Sequence, residues 1–584
     1  MRWRWVPASL LLGPVSLLTA QTIVVPPPPP PPPPVAVQPD ESQASPGTAT
    51  TLSGPAAFII GGIVVSATNG TPLDRADVTL STPGPRGSPI AEVITAENGS
   101  FRFDHLQAGK YRLEASRRGY ITAGYQDHDG FFTGIVVGPN LDTPNLRMQL
   151  LPAAIIGGVV TDDAGEPVGG AQVHLFRQDQ RTGETKIVSA GQDTTDDTGT
   201  YEFARLRAGT YFVGVFASPW YAFHPPRKTD ASGNPLPDDQ QPRSPLDVAY
   251  AMTFYENAVD SASASPIPLN AGDRVEINMS MHAVPAIHIQ VTLRPPEQSG
   301  NRGIIMPMLT QDVFGDQQME PTSVTWMGGP SNRQAIIGDF GGIAPGHYML
   351  RQFAGPDGGE PRTANVDLST DQTVDFSALS VSGVDVSGKV VMASGDKLPG
   401  RASVVLVPLN GSGGPSASAR ADADGEFDFH TVAPGVYEFQ VHASGATLAV
   451  AQMAATGADV EGSHVNVAAQ PVLLAATLAT GITTVNGYAK LNGKPVGGVM
   501  ILLVPSDPNA GRDVYRRDQS NSDGSFTLNR VIPGNYTLVA IENGWTLDWA
   551  HPEVIAPYLS QAMKVRVTGQ KSLNLPNAVA VEPR

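Results

Sequence analysis

Short segments of this chain alternate strictly between apolar and polar residues. The clearest segments are Phe101-Arg102-Phe103, Tyr201-Glu202-Phe203, Phe427-Asp428-Phe429 and Phe526-Thr527-Leu528. A period of two is typical of β-strands that bury one face, and no stretch keeps the period of an amphipathic helix for long. We therefore expect many short strands and almost no helix.

A second pattern shows that these segments belong to repeated units. The motif Gly-x-Tyr, preceded by alanine or proline, occurs five times, at Gly109, Gly209, Gly346, Gly435 and Gly534. In four copies a turn glycine stands ten residues before the glycine of the motif, at Gly99, Gly199, Gly425 and Gly524. The third copy lacks this turn but keeps Phe340, in the position that Phe103, Phe203 and Phe429 occupy in other copies. The chain is thus an array of copies of one unit, and the third copy is divergent.

The density of strands and turns indicates the fold class. Each copy offers about seven short strands in about 100 residues, with a turn about every 8 to 12 residues, as an antiparallel β-sandwich requires. We predict an all-β fold, a tandem array of about five antiparallel, Greek-key β-sandwich modules. Their predicted bounds are 56–151, 152–282 with an insertion at about 219–265, 283–380, 381–480 and 481–584. Laid end to end, modules of about 35 Å would extend roughly 170 Å.

The tyrosines of the Gly-x-Tyr motifs are predicted to be structural residues. In a tyrosine corner the ring fills the edge of the core, and the hydroxyl bonds to backbone a few residues upstream. The preceding glycine tolerates the tight approach that follows a turn. The predicted corners are Tyr111, Tyr211, Tyr348, Tyr437 and Tyr536.

Charge and cysteine content exclude several classes of function. The 584 residues carry a formal charge of −17 and form no basic cluster, so nothing would neutralise the phosphates of DNA or RNA. Nucleic acid is therefore not expected as a partner. The chain has no cysteine, which excludes disulfides, thiolate metal sites and cysteine nucleophiles.

The N-terminus resembles an export signal. Arg2 and Arg4 precede an apolar run from Val6 to Leu18, and a signal peptidase would cut after Ala20. An uncleaved anchor is the alternative, although the run is short for a membrane span. Either way, the modules would be exported to the periplasm, cell surface or medium, and we expect no transmembrane domain in the mature chain. Residues 21–55 are a proline-rich linker that includes nine consecutive prolines.

The repeated motifs resemble those of the carboxypeptidase regulatory-like domain family. In the second unit the matching segments are Gly158-Val159-Val160, Gly165–Val173, Gly199–Phe203 and Leu206–Tyr211. The resemblance is strong in the first two units, weaker in the others, and extends over about 500 residues. It implies a transthyretin-like sandwich from a wider set of carbohydrate-binding-like folds, found in secreted bacterial arrays. Because no zinc carboxypeptidase domain accompanies the units, the resemblance implies no peptidase activity.

The sequence reveals no catalytic centre. The 11 histidines are scattered, and the motifs His-Glu-x-x-His, Gly-x-Ser-x-Gly and the P-loop are absent. Acidic turns at His128, at Asp422 and from Asp518 to Gly524 could offer oxygen ligands to calcium. None has the distal bidentate glutamate of a full calcium loop, and Asp-Gly is already a preferred hairpin turn. We therefore predict that the protein is not an enzyme and has no metal site or cofactor.

Aromatic residues are the remaining candidates for ligand contact, because sugar rings stack on exposed aromatic faces. The candidates are Trp220 and Tyr221 in the insertion of the second unit, Trp326 in the third, and Trp545 and Trp549, assigned to one face of a strand in the fifth. The more ordinary interpretation is that these rings pack insertions and module interfaces. Two functions stay open at this point: an exported array that binds polysaccharide or another envelope polymer, and a structural spacer or partner of envelope proteins.

Overall fold

The computed structural model describes most of the chain from residue 58 onwards. The described residues are 58–584 without 85–86, 129, 140, 142, 182, 184, 229–235, 237–239, 242, 294–306, 320–321, 328–335, 353–361, 376–382, 400–401, 410–415, 444–447, 481, 508–509, 511–513 and 561. The predicted signal peptide at 1–20 and the linker at 21–55 lie outside these residues.

The predicted fold class is confirmed. The described residues form β-strands joined by short turns, with one four-residue α-helix, α1 (Pro552–Ile555), and 3-10 turns at Ser261–Ser263, Gly544–Thr546 and Ala556–Tyr558. The strands form a series of sandwiches, each with a core of its own.

Module 1 is a sandwich of two sheets. Its strands are β1 (Phe58–Ser66), β2 (Asp77–Ser81), β3 (Pro89–Ile94), β4 (Ser100–Leu106), β5 (Gly109–Ser116), β6 (Ala123–Gly124), β7 (Ile135–Val137) and β8 (Thr143–Leu150). One sheet has the order β4-β1-β8, and the other has the order β3-β2-β5-β6 with β7 on β5. Pairing is antiparallel except between β1 and β8, which run parallel. Alternate residues of β5, including Tyr111 and Leu113, face the core between the sheets.

Module 2 repeats this plan. Its strands are β9 (Ala154–Asp162), β10 (Gln172–Asp179), β11 (Lys186–Thr194), β12 (Thr200–Leu206), β13 (Gly209–Phe216), β14 (Val248–Tyr250), β15 (Thr253–Phe254), β16 (Ile267–Leu269), β17 (Arg274–Glu276) and β18 (Met279–Met281). The first strand, β9, lies between antiparallel β12 and parallel β17, with β18 also on β9. The second sheet has the order β11-β10-β13-β15, with β16 on β13.

Module 3 has two four-stranded sheets. Its strands are β19 (Ala283–Pro285), β20 (Ile287–Leu293), β21 (Met308–Val313), β22 (Asp316–Met319), β23 (Ser323–Met327), β24 (Ile336–Ile343), β25 (Gly346–Gln352), β26 (Arg362–Leu368) and β27 (Gln372–Asp375). The sheet orders are β23-β24-β20-β27 and β22-β21-β25-β26. β19 pairs instead with β14, which ties the insertion of module 2 to module 3.

Module 4 is also built from two sheets. Its strands are β28 (Val384–Met392), β29 (Ser403–Pro408), β30 (Ala417–Arg420), β31 (Glu426–Val432), β32 (Gly435–His442), β33 (Leu448–Thr456), β34 (Ala458–Glu461), β35 (His464–Val467) and β36 (Val472–Thr480). The sheet orders are β31-β28-β36-β33 and β30-β29-β32-β35-β34.

In module 5 a late strand connects the two sheets. Its strands are β37 (Thr483–Leu491), β38 (Lys494–Pro495), β39 (Met500–Pro505), β40 (Arg516–Gln519), β41 (Ser525–Val531), β42 (Gly534–Ile541), β43 (Met563–Val567), β44 (Ser572–Asn574) and β45 (Val579–Glu582). β45 pairs in parallel with both β37 and β42. A second apolar cluster forms outside the sandwich, where α1 and the 3-10 turns cover β39 and β42.

The turn glycines share one strained geometry that explains their recurrence. Gly99, Gly199, Gly425 and Gly524 have φ values of 73°, 73°, 83° and 79°. Each also lies against the first strand of its module: a Cβ on Gly199 would stand 2.4 Å from the carbonyl oxygen of Val160. Only glycine combines this left-handed backbone with so close an approach.

A β-bulge precedes every Gly-x-Tyr motif. The register between the first strand and the alternating strand shifts at the same place in all five modules. The residue four positions before the glycine of the motif has a left-handed φ in each copy: His105 (58°), Arg205 (58°), Gly342 (78°), Thr431 (55°) and Arg530 (57°). The bulge bends the strand toward the corner that follows it.

Module 5 contacts modules 1 and 2, although modules 3 and 4 separate it from them in sequence. The amide of Val136 in module 1 donates to Ser522 Oγ in module 5 at 2.8 Å, and the amide of Ser522 donates to the carbonyl of Gly134 at 2.9 Å. On module 2, the amide of Ala550 donates to the carbonyl of Gly183 at 3.2 Å. The five modules therefore do not all lie end to end in a single line.

Candidate functional site

The five Gly-x-Tyr tyrosines have one common geometry. Each ring is buried, and each hydroxyl donates to the carbonyl oxygen four residues earlier. The distances are 2.8 Å for Tyr111, 2.9 Å for Tyr211, 2.9 Å for Tyr348, 2.7 Å for Tyr437 and 2.8 Å for Tyr536. Burial raises the pKa of Tyr536 to about 12, so its hydroxyl remains a donor at physiological pH. These tyrosines stabilise the fold, and because their rings are buried they do not contact a ligand.

Two aromatic candidates in the insertion of module 2 are accessible. Trp220 is 82% exposed, and the half-buried ring of Tyr221 stands perpendicular to it at a centroid distance of 5.7 Å. Phe223, two residues further on, is 60% exposed. The three rings, which we call the aromatic platform, place a large apolar surface in solvent.

The candidate in module 3, Trp326, lies on β23, opposite Gly338 of β24. Nothing more is described of its side chain.

The two tryptophans of module 5 do not lie on a strand, and the expectation of shared strand parity is wrong. Trp545 lies in the 3-10 turn Gly544–Thr546, and Trp549 precedes α1. Trp549 is 6% exposed and packs against Tyr515 at a ring distance of 5.8 Å. The alternating pattern failed here because the segment after β42 forms helical turns, in which parity does not determine the face.

Trp545 is used in the contact between modules 5 and 1. His128 of module 1 stacks on the indole at 4.9 Å with an interplanar angle of 6°, and Phe131 approaches it to 5.2 Å. The indole N–H donates to the carbonyl of Gly498 at 3.2 Å. This ring is half-buried, so only part of its surface can reach a ligand.

Gln519 is the polar centre of the same interface, and no sequence pattern pointed to it. Its amide nitrogen donates to the carbonyl of Gln126 at 2.7 Å and to Thr133 Oγ1 at 2.8 Å, while its Oε1 lies 2.9 Å from His128 Nδ1. Gln519 is 1% exposed. All its polar atoms are used across the interface, as a buried amide requires.

Arg517 joins the rings of modules 5 and 1 to module 2. Its guanidinium carbon lies 4.6 Å from the ring centroid of Trp549 and 4.9 Å from that of Phe131. Its Nη2 donates to the carbonyl of Arg181 at 2.8 Å. Cation–π contacts of this kind hold a positive charge in place without neutralising it.

Beside Arg517, residues of modules 1, 2 and 5 line a cleft of about 280 Å³, and an adjoining cleft of about 300 Å³ is lined by module 2 alone. The first is lined by residues that include Arg177, Asp179, Arg181, Arg207, Arg517 and Trp545. The second shares Arg177, Arg181 and Arg207 with it and adds Arg205. We call the two clefts and their five arginines the arginine groove. Among the described residues that line it, Asp179 is the one acid.

Two carboxylates fix three of the five arginines of this groove. Asp179 accepts from Arg181 at 2.6 Å and from Arg177 at 3.3 Å. Burial would raise the pKa of Asp179, but the hydrogen bonds and charges of these arginines outweigh it and lower that pKa. Arg207 reaches across to Asp127 of module 1 at 3.2 Å. The groove keeps more guanidinium groups than carboxylates, so the expectation that the chain forms no basic cluster is wrong. The sequence did not show the cluster because Arg517 lies far along the chain from the other four arginines.

The acidic turns considered for calcium serve the backbone. Asp422 Oδ1 accepts the amides of Asp424 at 2.9 Å and of Glu426 at 2.8 Å, which closes the hairpin turn. Asp518 Oδ2 accepts the amide of Thr527 at 2.6 Å. No group of three or more His, Asp or Glu side chains in the described part of the chain is arranged to hold a metal ion.

A buried histidine–carboxylate network joins module 3 to the insertion of module 2. His288 Nδ1 lies 2.6 Å from Asp339 Oδ1, and its Nε2 lies 3.0 Å from Asp247 Oδ2. Asp247 also binds His224 Nδ1 at 2.8 Å. Burial alone would lower the pKa of His288, but the hydrogen bonds to Asp247 and Asp339 raise it to about 9. Sequence reasoning missed this cluster because its members come from distant segments and match no motif.

The fold and its surfaces define a multi-module β-sandwich protein with a cleft lined by residues of modules 1, 2 and 5. The resemblance to the carboxypeptidase regulatory-like domain family is confirmed: residues 59–143 and 155–223 match the model of that domain. These segments fall in modules 1 and 2. For modules 3 to 5 the resemblance stays a prediction.

A relative among characterised proteins is Colossin-A of Dictyostelium discoideum. It is 22% identical over 516 residues, an alignment that covers 79% of this chain and 4% of Colossin-A. The chain therefore spans only a small part of that relative's length.

The comparison with solved structures finds matches of low sequence identity and low TM-score. The Bacillus anthracis TIE protein is 10% identical, with 74% of this chain and 76% of that chain covered and a TM-score of 0.16. The minor pilin of Streptococcus agalactiae is 13% identical, with 41% of this chain and 100% of that chain covered and a TM-score of 0.19. Scores this low support no inference about a shared ligand or assembly. Within the described ranges, no helix is long and apolar enough to cross a membrane.

Proposed function

We propose that this chain is a non-catalytic, exported, multi-module binding protein whose ligands are carbohydrates or cell-envelope polymers. The observation that carries the proposal is the aromatic platform, in which Trp220 is 82% exposed and Phe223 is 60% exposed. Large apolar side chains grouped in solvent mark interaction sites more often than chance exposure does. Flat aromatic faces of this kind suit the C–H faces of sugar rings.

The non-catalytic part of the proposal is supported by the roles of the polar side chains. The buried imidazole of His288 is held between two carboxylates and is 3% exposed, so no substrate reaches it. The tyrosine hydroxyls bond to their own backbone. The family match is to a regulatory-like domain and not to a peptidase domain.

The proposal of export rests on the N-terminal sequence. Arg2 and Arg4 followed by an apolar run have the pattern of a signal peptide, and the chain has no cysteine to require a reducing compartment. Fractionation of cells that produce the full chain tests this part. Recovery of uncut protein in the cytoplasm would contradict it.

Retention of the purified chain on immobilised polysaccharides and envelope fractions tests the binding function. The double variant Trp220→Ala/Phe223→Ala should bind about tenfold more weakly or worse, since loss of about 1.4 kcal/mol corresponds to a factor of ten. Tyr488→Ala is the matched control, because Tyr488 is an aromatic residue of module 5 that is 52% exposed and lies apart from the platform. Equal binding by both variants would rule out the platform as the ligand contact.

The second candidate is a structural or protein-interaction component of the envelope. It is favoured by the use of Trp545 and Trp549 in packing, where they join module 5 to its neighbours. If this second function is correct, the chain binds envelope proteins and is not retained on any glycan. The same retention experiment therefore separates the two candidates.

A further inference from the structure

We infer that the arginine groove binds an acidic polysaccharide, one whose sugar units carry carboxylate or sulfate groups. The inference rests on the proposed carbohydrate-binding function and names the ligand class and the place where it binds. One cleft of the groove lies between modules 1, 2 and 5, the other lies on module 2, and neither is lined by the aromatic platform.

The charge of the groove is opposite to that of the chain. The whole sequence carries a formal charge of −17, yet five arginines line the two clefts together with one described acid, Asp179. Asp127, behind Arg207, is the second carboxylate in contact with them. A local cluster of guanidinium groups on an acidic protein attracts an anion to this position and not to the surface in general.

Four of the five arginines, namely Arg177, Arg181, Arg207 and Arg517, are held in position before any ligand arrives. Asp179 is shared by Arg177 and Arg181, and the rings of Phe131 and Trp549 flank Arg517. Because the side chains are already ordered, binding an acid group costs less conformational entropy than it would on mobile side chains.

The length of the groove favours a polymer over a single ion. Arg177, Arg181 and Arg207 line both clefts, so the two cavities of about 280 Å³ and about 300 Å³ form one continuous cationic surface. Trp545 and His128, stacked on each other, line the wall of the first cleft. Repeated acid groups meeting repeated guanidinium groups, with an aromatic edge beside them, match a chain of acidic sugars.

The test compares the chain with Arg181→Gln/Arg205→Gln, which removes two exposed guanidinium groups. The side chain of Arg181 is 54% exposed and Arg205 is also exposed, so folding should be preserved and is checked by circular dichroism and melting. Arg274→Gln is the matched control, since Arg274 is an exposed arginine of module 2 that pairs with Glu202 outside the groove. Calorimetry measures affinity for polygalacturonate, dextran sulfate, neutral dextran and polyphosphate.

We expect one or both acidic polysaccharides to bind and neutral dextran not to bind through the groove. In the double variant the dissociation constant should rise at least about tenfold, and Arg274→Gln should leave it unchanged. Arg181→Lys/Arg205→Lys keeps the charge and should recover part of the affinity, which also separates a loss of binding from a loss of folding. Affinity should fall as salt rises. Comparison of polygalacturonate with dextran sulfate shows whether the groove prefers carboxylate or sulfate groups.

Three outcomes would overturn the inference: unchanged affinity in the double variant, equal loss in Arg274→Gln, or polyphosphate binding as tight as that of the acidic sugars. If binding then depends on Trp220 and Phe223 alone, the proposed carbohydrate function stands and the groove has no part in it. If no polysaccharide binds at all, the proposed function fails as well.

Discussion

At the scale of single residues, a buried hydroxyl recurs in modules 1, 2 and 5. It belongs to Thr95, Thr195 and Ser520, each four residues before the turn glycine. Thr195 Oγ1 donates to the carbonyl of Val168 at 2.7 Å and accepts the amide of Ala171 at 2.8 Å. The hydroxyl therefore satisfies two backbone groups that no strand partner reaches.

Thr195→Val should destabilise module 2 by about 1–3 kcal/mol, because it keeps the shape of the side chain and leaves two buried backbone groups without partners. Hydrogen exchange of the amide of Ala171, followed by mass spectrometry, measures the loss. Thr194→Val, at the exposed neighbouring position, is the control. Equal protection in all three proteins would show that the hydroxyl is dispensable.

The roles of some residues could be predicted from the sequence, and the roles of others could not. The corner tyrosines and turn glycines could be predicted because each repeats at fixed spacing and has one physical reason to do so. Gln519 and His288 could not be predicted, since their partners lie hundreds of residues away or in an insertion with no repeat. Trp549 shows the opposite error, in which an aromatic residue predicted as a ligand contact is buried at 6% exposure.

At the scale of elements, the bulge before each corner stores backbone strain. Modules 1, 2, 4 and 5 place a side chain at the left-handed position, whereas module 3 has Gly342 there. Thr431 is the most strained of these residues, because a β-branched residue at a φ of 55° is a steric outlier. The strain is tolerated because the bulge turns the chain toward the tyrosine corner that follows it.

Thr431→Gly should stabilise module 4 by up to about 1 kcal/mol, since relief of the left-handed strain exceeds the entropy lost by an added glycine. Thr431→Ala keeps the Cβ and should give no such gain. Differential scanning calorimetry measures both variants. Lower stability of the glycine variant would show that the threonine side chain makes a compensating contact.

The connection between module 3 and the insertion of module 2 should weaken in alkali. The pKa of His288 is about 9 in the folded chain, above its ordinary value of about 6.5. Its ring faces Asp247 and Asp339, His224 shares Asp247, and the amide of His288 donates to Asp371. The stabilisation that protonated His288 gives to this contact is therefore complete below about pH 6.5 and is lost as the pH rises through about 9.

Calorimetric melting between pH 6 and pH 10 measures this dependence. Asp339→Asn removes one carboxylate and should flatten the alkaline decline. His347→Asn, in an exposed pair with Asp367 of module 3, should leave the profile unchanged. If melting of Asp339→Asn depends on pH as it does in the unchanged chain, protonation of His288 does not stabilise this contact.

At the scale of the whole molecule, the contacts of module 5 create the surfaces that we assign to ligand. Without them, Arg517 and Trp545 would not face Arg181 and His128, and the arginine groove would lose one wall. The repeats predict how each module folds, but they carry no information on which modules touch. That depends on residues at the module boundaries that differ between copies, such as Gln519 and Ser522.

The contact between modules 1 and 5 is tested most directly by a cysteine pair. The chain has no cysteine, so Val136→Cys/Ser522→Cys introduces the only two thiols, at positions joined by a hydrogen bond of 2.8 Å. Mild oxidation should close an intramolecular disulfide, seen as faster migration of the monomer on a non-reducing gel. Ser418→Cys/Ser522→Cys, which pairs module 4 with module 5, should not close. Failure of the first pair to form a monomeric cross-link, or closure of both pairs alike, would contradict the arrangement on which the groove depends.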